Sequence, residues 1–110
     1  MSEKKDMLAQ LVEGQGTLHN KMPEVMSKFK DFHDQVFKDG KLSTKEKRLA
    51  GLGMALALKC EYCIAMHLKA LKEMGTDLEE IFEVCSVAML MHGGPGVAYS
   101  TVVIKLWDEI

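Results

Sequence analysis

Aromatic residues are scarce in this chain. They make up 6% of its 110 residues, against 47% for hydrophobic residues as a whole, so the apolar mass is aliphatic. Nine methionines add to it. Methionine fills irregular gaps and adaptable interfaces, and a composition rich in Met, Ala and Leu favours helix over sheet. A surplus of one charge is also missing: the formal net charge is −2. No basic stripe stands out, which removes the electrostatic case for a nucleic-acid partner. The N-terminal MSEKKDML lacks the apolar run of a secretory signal. The longest apolar run, Leu49 to Leu58, is too short to span a bilayer. These absences predict a cytoplasmic protein with no membrane partner.

What is present fits one domain, residues 1–110. A chain of this length buries roughly two-thirds of its unfolded surface and needs no disulfide staples. Internal repeats and long linkers are absent. Apolar spacing predicts about six helices and no sheet, an all-α fold. Met7, Leu8, Leu11, Val12 and Leu18 mark a first helix from about Glu3 to Leu18, weakened at its end by Gly14 and Gly16. Pro23 suits the first turn of a second helix, whose stripe is Val25, Phe29, Phe32 and Val36. Ser43-x-x-Glu46 reads as a capping box opening a third helix from about Thr44 to Lys59. That helix is apolar on nearly every side from Leu49 to Leu58, which predicts a buried one. A fourth stretch runs from Cys60 to Met74, with Gly75 as its C-terminal cap. Thr76-x-x-Glu79 predicts another capping box. The amphipathic face Leu78, Ile81, Phe82, Cys85, Ala88, Met89 and His92 follows, broken by the cluster Gly93-Gly94-Pro95-Gly96. The last helix, Val97 to about Trp107, is expected to pack through Ser100, Val103, Ile104 and Trp107.

Three cysteines are an odd count, and two of them form Cys60-x-x-Cys63. In a reducing cytosol this spacing suggests redox or metal chemistry rather than a structural bridge. Two sulfurs three residues apart at a helix start can meet in a disulfide, and helix N-terminal amides stabilise the reactive thiolate. His67 lies one turn after Cys63 and two after Cys60, on the same side of a helix that includes all three. An imidazole there can take the thiol proton and return it to a leaving group. If charged, it also favours the ionised sulfur. The rival chemistry is zinc, with Cys85 or His92 as a fourth ligand. However, no second C-x-x-C and no H-x-x-x-H exists to supply the usual paired ligands. Covalent haem needs histidine directly after the second cysteine, and position 64 is Ile. A third reading is a pair of inert core cysteines. Cys85 reads as a small core residue, His92 as a core or cap histidine, and Lys45, Lys47 and Arg48 as a solvated helix start. His19 and His33 fall in no usable pattern.

Taken in order, Gly40-Lys41-Leu42-Ser43-Thr44-Lys45, the apolar helix, Cys60-x-x-Cys63-x-x-x-His67 and Gly75-Thr76-Asp77-x-Glu79-Glu80-Ile81 resemble the alkylhydroperoxidase D-like, carboxymuconolactone decarboxylase-related family. The match covers about Pro23 to Met91, the expected core of the domain. The resemblance implies an all-helical homo-oligomer, a trimer or a hexamer built from trimers. It implies thiol-dependent peroxide reduction without a cofactor or metal. Cys63 would attack the peroxide, Cys60 would resolve the sulfenic acid, and His67 would be the acid–base partner. A dithiol donor of thioredoxin or lipoyl type would reset the disulfide. The decarboxylase branch generally lacks the cysteine pair, which argues against lactone decarboxylation. A non-catalytic redox-sensing or binding oligomer would keep the dithiol too.

Two positions depart from the family's proton relay. Arg48 stands where a glutamate is usual, and Tyr62 stands where the best-developed relay has a histidine. Arginine does not accept and return a proton near neutral pH. The sequence therefore predicts slow direct peroxide turnover beside faster thiol–disulfide exchange.

Overall fold

A computed structural model describes residues 3–110, with side chains from Met7 onward. Its described residues form six helices and no strand: α1 (Glu3–Lys21), α2 (Pro23–Val36), α3 (Thr44–Leu58), α4 (Glu61–Glu73), α5 (Leu78–His92) and α6 (Gly94–Glu109). The expected all-α architecture is therefore present. None of these helices is long and apolar enough to cross a membrane.

The breaks have local causes. Proline disfavours helical backbone in the residue before it, and Met22, at φ −136° and ψ 61°, separates α1 from α2. Gly14 and Gly16 do not end α1 early: both stand in open space, and the helix continues to Lys21. The Ser43 capping box forms in full. Its hydroxyl accepts from the Glu46 amide at 3.0 Å, and the Glu46 carboxylate accepts from the Ser43 amide at 2.8 Å.

The second expected box does not form. Asp77 precedes α5 and makes no side-chain cap. The Thr76 amide instead closes α4 by donating to the Leu71 carbonyl at 3.1 Å, beside the left-handed Gly75 at φ 78°. Thr76 thus belongs to the end of one helix rather than the start of the next. The glycine cluster also behaves differently from expectation. Only Gly93, at φ 69° and ψ −135°, leaves the helical region, and Gly94, Pro95 and Gly96 form the first turn of α6.

The core lies among α3 to α6. It comprises Leu52, Ala55 and Leu56 of α3, Ile64, Ala65, Leu68 and Leu71 of α4, Ile81, Cys85 and Ala88 of α5, and Val103 and Leu106 of α6. Helix α1 lies against α4 and α6, with Met7 and Leu8 on the core. Helix α3 is buried on one side only, because Met54 and Leu58 remain exposed. The buried stripe of α6 is Gly96, Ser100, Val103 and Leu106. Ile104, expected on that face, points outward. Gly96 turns α6 in this way, since a Cβ there would sit 2.6 Å from the Ala88 carbonyl oxygen. The missing side chain lets α5 and α6 approach backbone to backbone.

This contact predicts a position-specific cost. Gly96→Ala should destabilise the fold by about 1–3 kcal/mol through overpacking, read as a lower urea midpoint. Gly94→Ala, where an added Cβ meets nothing within 4 Å, should leave the midpoint unchanged or raise it by up to about 1 kcal/mol. Equal effects at the two positions would show that the close approach does not govern packing.

Candidate functional site

The turn between α3 and α4 builds the site. Lys59 adopts the left-handed region at φ 59° and ψ 36°. Its amide donates to the Leu56 carbonyl at 3.2 Å, and the Cys60 amide donates to the Ala55 carbonyl at 3.1 Å. This is the paired closure that glycine normally serves; a residue with a Cβ there costs about 1–2 kcal/mol. Cys60 is then extended and caps α4, its Sγ accepting from the Cys63 amide at 3.3 Å. Cys60 and Cys63 are joined as a disulfide, with their Cα atoms 5.3 Å apart. Cys63 and His67 line one cleft of about 350 Å³, walled by Val36, Phe37, Leu42 and Leu58.

His67 stands against α3. A Cβ on Gly51 would fall 2.5 Å from His67 Cε1 and 2.8 Å from Nε2, so the glycine makes room for the ring. Arg48 is not solvated as expected. Its Nη1 donates to His67 Nδ1 at 3.3 Å, its Nη2 donates to His33 Nε2 at 3.4 Å, and its guanidinium lies 3.9 Å from the Phe37 ring centre. Its Nε is buried without a partner. Burial lowers the Arg48 pKa below the usual arginine value. Burial first, then the Arg48 charge, then His33, push the His67 pKa down to about 4. Near neutral pH the ring is uncharged, so the imidazolium expected beside the sulfur is not what this environment favours.

His33 and Phe37 come from α2 and its end, and sequence spacing did not reveal them. The loop after α2 delivers them. The Thr44 hydroxyl donates to the Phe37 carbonyl at 2.5 Å, and the Thr44 amide donates to Asp39 Oδ1 at 2.7 Å. Lys47 Nζ donates to the carbonyls of Val36 and Lys38 at 2.8 and 2.6 Å. These bonds satisfy carbonyls that a helix end leaves open. For Arg48 a signal did exist: it precedes Leu52 by one turn and Ala55 by two, and both of those are buried.

The remaining candidates lie elsewhere. Tyr62 is exposed and faces a groove with Leu11, Gly14 and Leu18 of α1. The Glu46 carboxylate is held by its capping box, which lowers its pKa. Cys85 is a buried free cysteine whose thiol pKa burial pushes up. His92 is exposed in the last turn of α5. Among the described residues, no three His, Cys, Asp or Glu side chains converge as a metal cluster. The two suggested fourth zinc ligands are thus not gathered with the cysteine pair.

Six helices of this order, with the dithiol opening the fourth, define an alkylhydroperoxidase D-like fold. The chain belongs to the carboxymuconolactone decarboxylase family, whose model matches residues 23–105. That match runs past the expected core at Met91 into α6. A carboxymuconolactone decarboxylase family protein from Legionella pneumophila, solved in its apo form, superposes with a TM-score of 0.91 at 28% identity, covering 98% of this chain and 97% of the other. A family member from Thermotoga maritima superposes with a TM-score of 0.80 at 24% identity, over 94% and 88% of the two chains, which shows the shared fold. An uncharacterized protein in the cox locus of Paracoccus denitrificans is 33% identical over 75 residues, 68% of each chain. An uncharacterized protein of Cupriavidus necator is 29% identical over 96 residues, 86% of this chain and 84% of its own.

The lowered His67 pKa carries a stability consequence. Between about pH 6.5 and 4 the unfolded chain binds a proton on this imidazole that the folded chain does not, so stability falls as pH drops through that window. Allowing for screening at a partly open position, the loss is about 1–2 kcal/mol. Urea titrations at pH 7 and pH 4.5 should show a smaller decrease for His67→Gln than for wild type. An identical decrease in both proteins would mean that His67 titrates at its ordinary value.

Proposed function

We propose that this chain is a thiol–disulfide oxidoreductase that reduces peroxides with Cys63 and Cys60. The observation that carries the reading is the Cys60–Cys63 pair at a cleft whose wall Cys63 shares with His67. In the reduced protein the Cys63 thiolate attacks the distal peroxide oxygen. An S–O bond forms, the O–O bond breaks, and the sulfur loses two electrons. The departing alkoxide takes a proton from water. The Cys60 sulfur then attacks the sulfenic acid, forming the disulfide and releasing water. A dithiol donor of thioredoxin or lipoyl type resets the pair by exchange. A reducing compartment such as the cytoplasm would supply such a donor. The family's name points to decarboxylation as well, but the redox-active pair speaks for thiol chemistry. One observation favours a second reading, a redox sensor without rapid turnover: Arg48, rather than a relay carboxylate, lies against His67.

Peroxide consumption with a dithiol donor should be measurable for wild type and lost in Cys63→Ser. Mass spectrometry of the peroxide-treated wild type should show the Cys60–Cys63 disulfide, with Cys85 still reduced. Oxidation without turnover would favour the sensor, and a dominant Cys85 cross-link would remove both readings. The replacement at position 48 also predicts that peroxide-driven oxidation is slower than exchange with a disulfide substrate. Arg48→Glu should raise the former more than the latter.

We also infer a homo-oligomer, a trimer or a hexamer built from two trimers. No residue of α2 is buried, although Phe29 and Phe32 are apolar and 61% and 66% exposed. An apolar groove of about 460 Å³ between α3 and α5, lined by Leu49, Gly53, Met54, Val84, Val87 and Met91, is likewise open. Apolar surface on this scale usually marks an interface. Sedimentation in dilute buffer should give a closed assembly. A stable monomer would overturn the inference.

A further inference from the structure

The contact between Arg48 and His67 constrains where the imidazole proton can be. A guanidinium carries only donors, so the nitrogen facing it at 3.3 Å, Nδ1, must present its lone pair. The single proton of the neutral ring then sits on Nε2. A charged ring would set N–H against N–H. On the other side of Arg48, His33 Nε2 is also an acceptor, at 3.4 Å, while His33 Nδ1 lies 3.2 Å from Asp34 Oδ1 and donates to it. One guanidinium is therefore held between two imidazoles and stacked on Phe37. Gly51 confines the His67 ring from the α3 side. The only lone pair on His67 is thus occupied, on the residue that shares the cleft wall with Cys63.

We propose that Arg48 and Gly51 are positioning residues that fix His67 as the Nε2-protonated neutral imidazole, so that His67 acts as a hydrogen-bond donor to the departing peroxide oxygen and not as the base for Cys63. What the donor acts on rests on the peroxide-reducing reading; the tautomer does not. No proton leaves His67 in this scheme. The thiol enters ionised, favoured by its place in the first turn of α4. The O–O electron pair departs on the alkoxide, Nε2–H stabilises that charge as it develops, and water supplies the proton. Donors aimed at developing charge act in this way without reorganisation. The depressed His67 pKa agrees, because a ring that stays neutral keeps one donor and one acceptor throughout the neutral range.

Nitrogen NMR of the imidazole decides the tautomer in the full-length wild-type protein, reduced and oxidised. The expected spectrum shows Nε2 protonated, Nδ1 as an acceptor, and no titration above pH 5. An Nδ1-protonated ring, or a midpoint near 6.5, overturns the proposal. Arg48→Met should raise the midpoint toward 6.5 and mix the tautomers; an unchanged spectrum denies Arg48 its positioning role. If that variant does not fold, the wild-type spectrum still decides. The second readout is rescue. Glutamine at position 67 keeps an N–H donor but has no basic nitrogen. Single oxidation by hydrogen peroxide should be about 10²-fold slower in His67→Ala and within about tenfold of wild type in His67→Gln. Equal losses in both variants overturn the donor role. A wild type that shows the expected tautomer yet never reacts with peroxide overturns the proposed function instead, and leaves the assignment of the ring intact.

Discussion

The backbone reversal at Lys59 is the constraint on which the site depends. It is a turn with a single residue between the end of α3 and the cap of α4, and Lys59 bears the left-handed backbone. Gly51 and His67 each lie eight residues from it. When α3 and α4 fold back on each other, equal distances from the hinge bring equal heights together. At 1.5 Å rise per residue that height is about 12 Å. The glycine therefore faces the imidazole, and Arg48, one turn further from the hinge, reaches the ring edge. The same reversal aims Cys60 at the amides that open α4. One strained residue thereby sets both the redox pair and the surroundings of its histidine. A longer connection would loosen both registers.

Arg48 is the least ordinary group in that arrangement. A partly buried cation is usually matched by a carboxylate, yet the groups it meets here are two imidazole nitrogens and an aromatic face. Nothing among them neutralises its charge. One consequence falls on the neighbouring imidazole. Burial first, and the Arg48 charge after it, push the His67 pKa down, and the Arg48 contact occupies Nδ1, so the ring is a poor proton acceptor. A relay carboxylate at this position would have the reverse effect. The exchange of one residue thus shifts the site from moving protons toward stabilising charge, which suits disulfide exchange better than peroxide cleavage.

Much of this was legible in the sequence, for identifiable reasons. Pro23, the Ser43 capping box and Gly75 act within a few residues, so their helix boundaries could be read directly. The dithiol and His67 share one helix, and spacing along a helix is a local property. The rest depends on contacts between distant segments. Thr76 resembles a cap by motif, but the end of α4 claims its amide. Gly94-Pro95-Gly96 resembles a breaker, but close packing on Ala88 makes a helical turn of it. His33 and Phe37 enter the site only because Thr44 and Lys47 tie down the loop after α2, and no spacing rule relates α2 to α4. The apolar circumference of α3 predicts a buried helix, yet Met54 and Leu58 lie open within the subunit.

That open surface and the site meet in α2. Among the described residues the backbone of this helix approaches no helix other than α1, and Val25, Phe29 and Phe32 of its apolar stripe stay largely exposed. Its C-terminal end nevertheless supplies the Arg48 partner His33 and the stacking ring of Phe37. Its position is therefore set from both ends: by the Lys47 and Thr44 bonds near the site, and by whatever covers Phe29 and Phe32. Elements with few buried contacts are the first to open locally. If a second copy covers the stripe, as in the proposed assembly, then association orders the helix that holds Arg48 in place. The state of the His67 ring would then depend on assembly as well as on its own neighbours. The chemistry of a dithiol on α4 would be coupled to an interface on α2 through one guanidinium on α3.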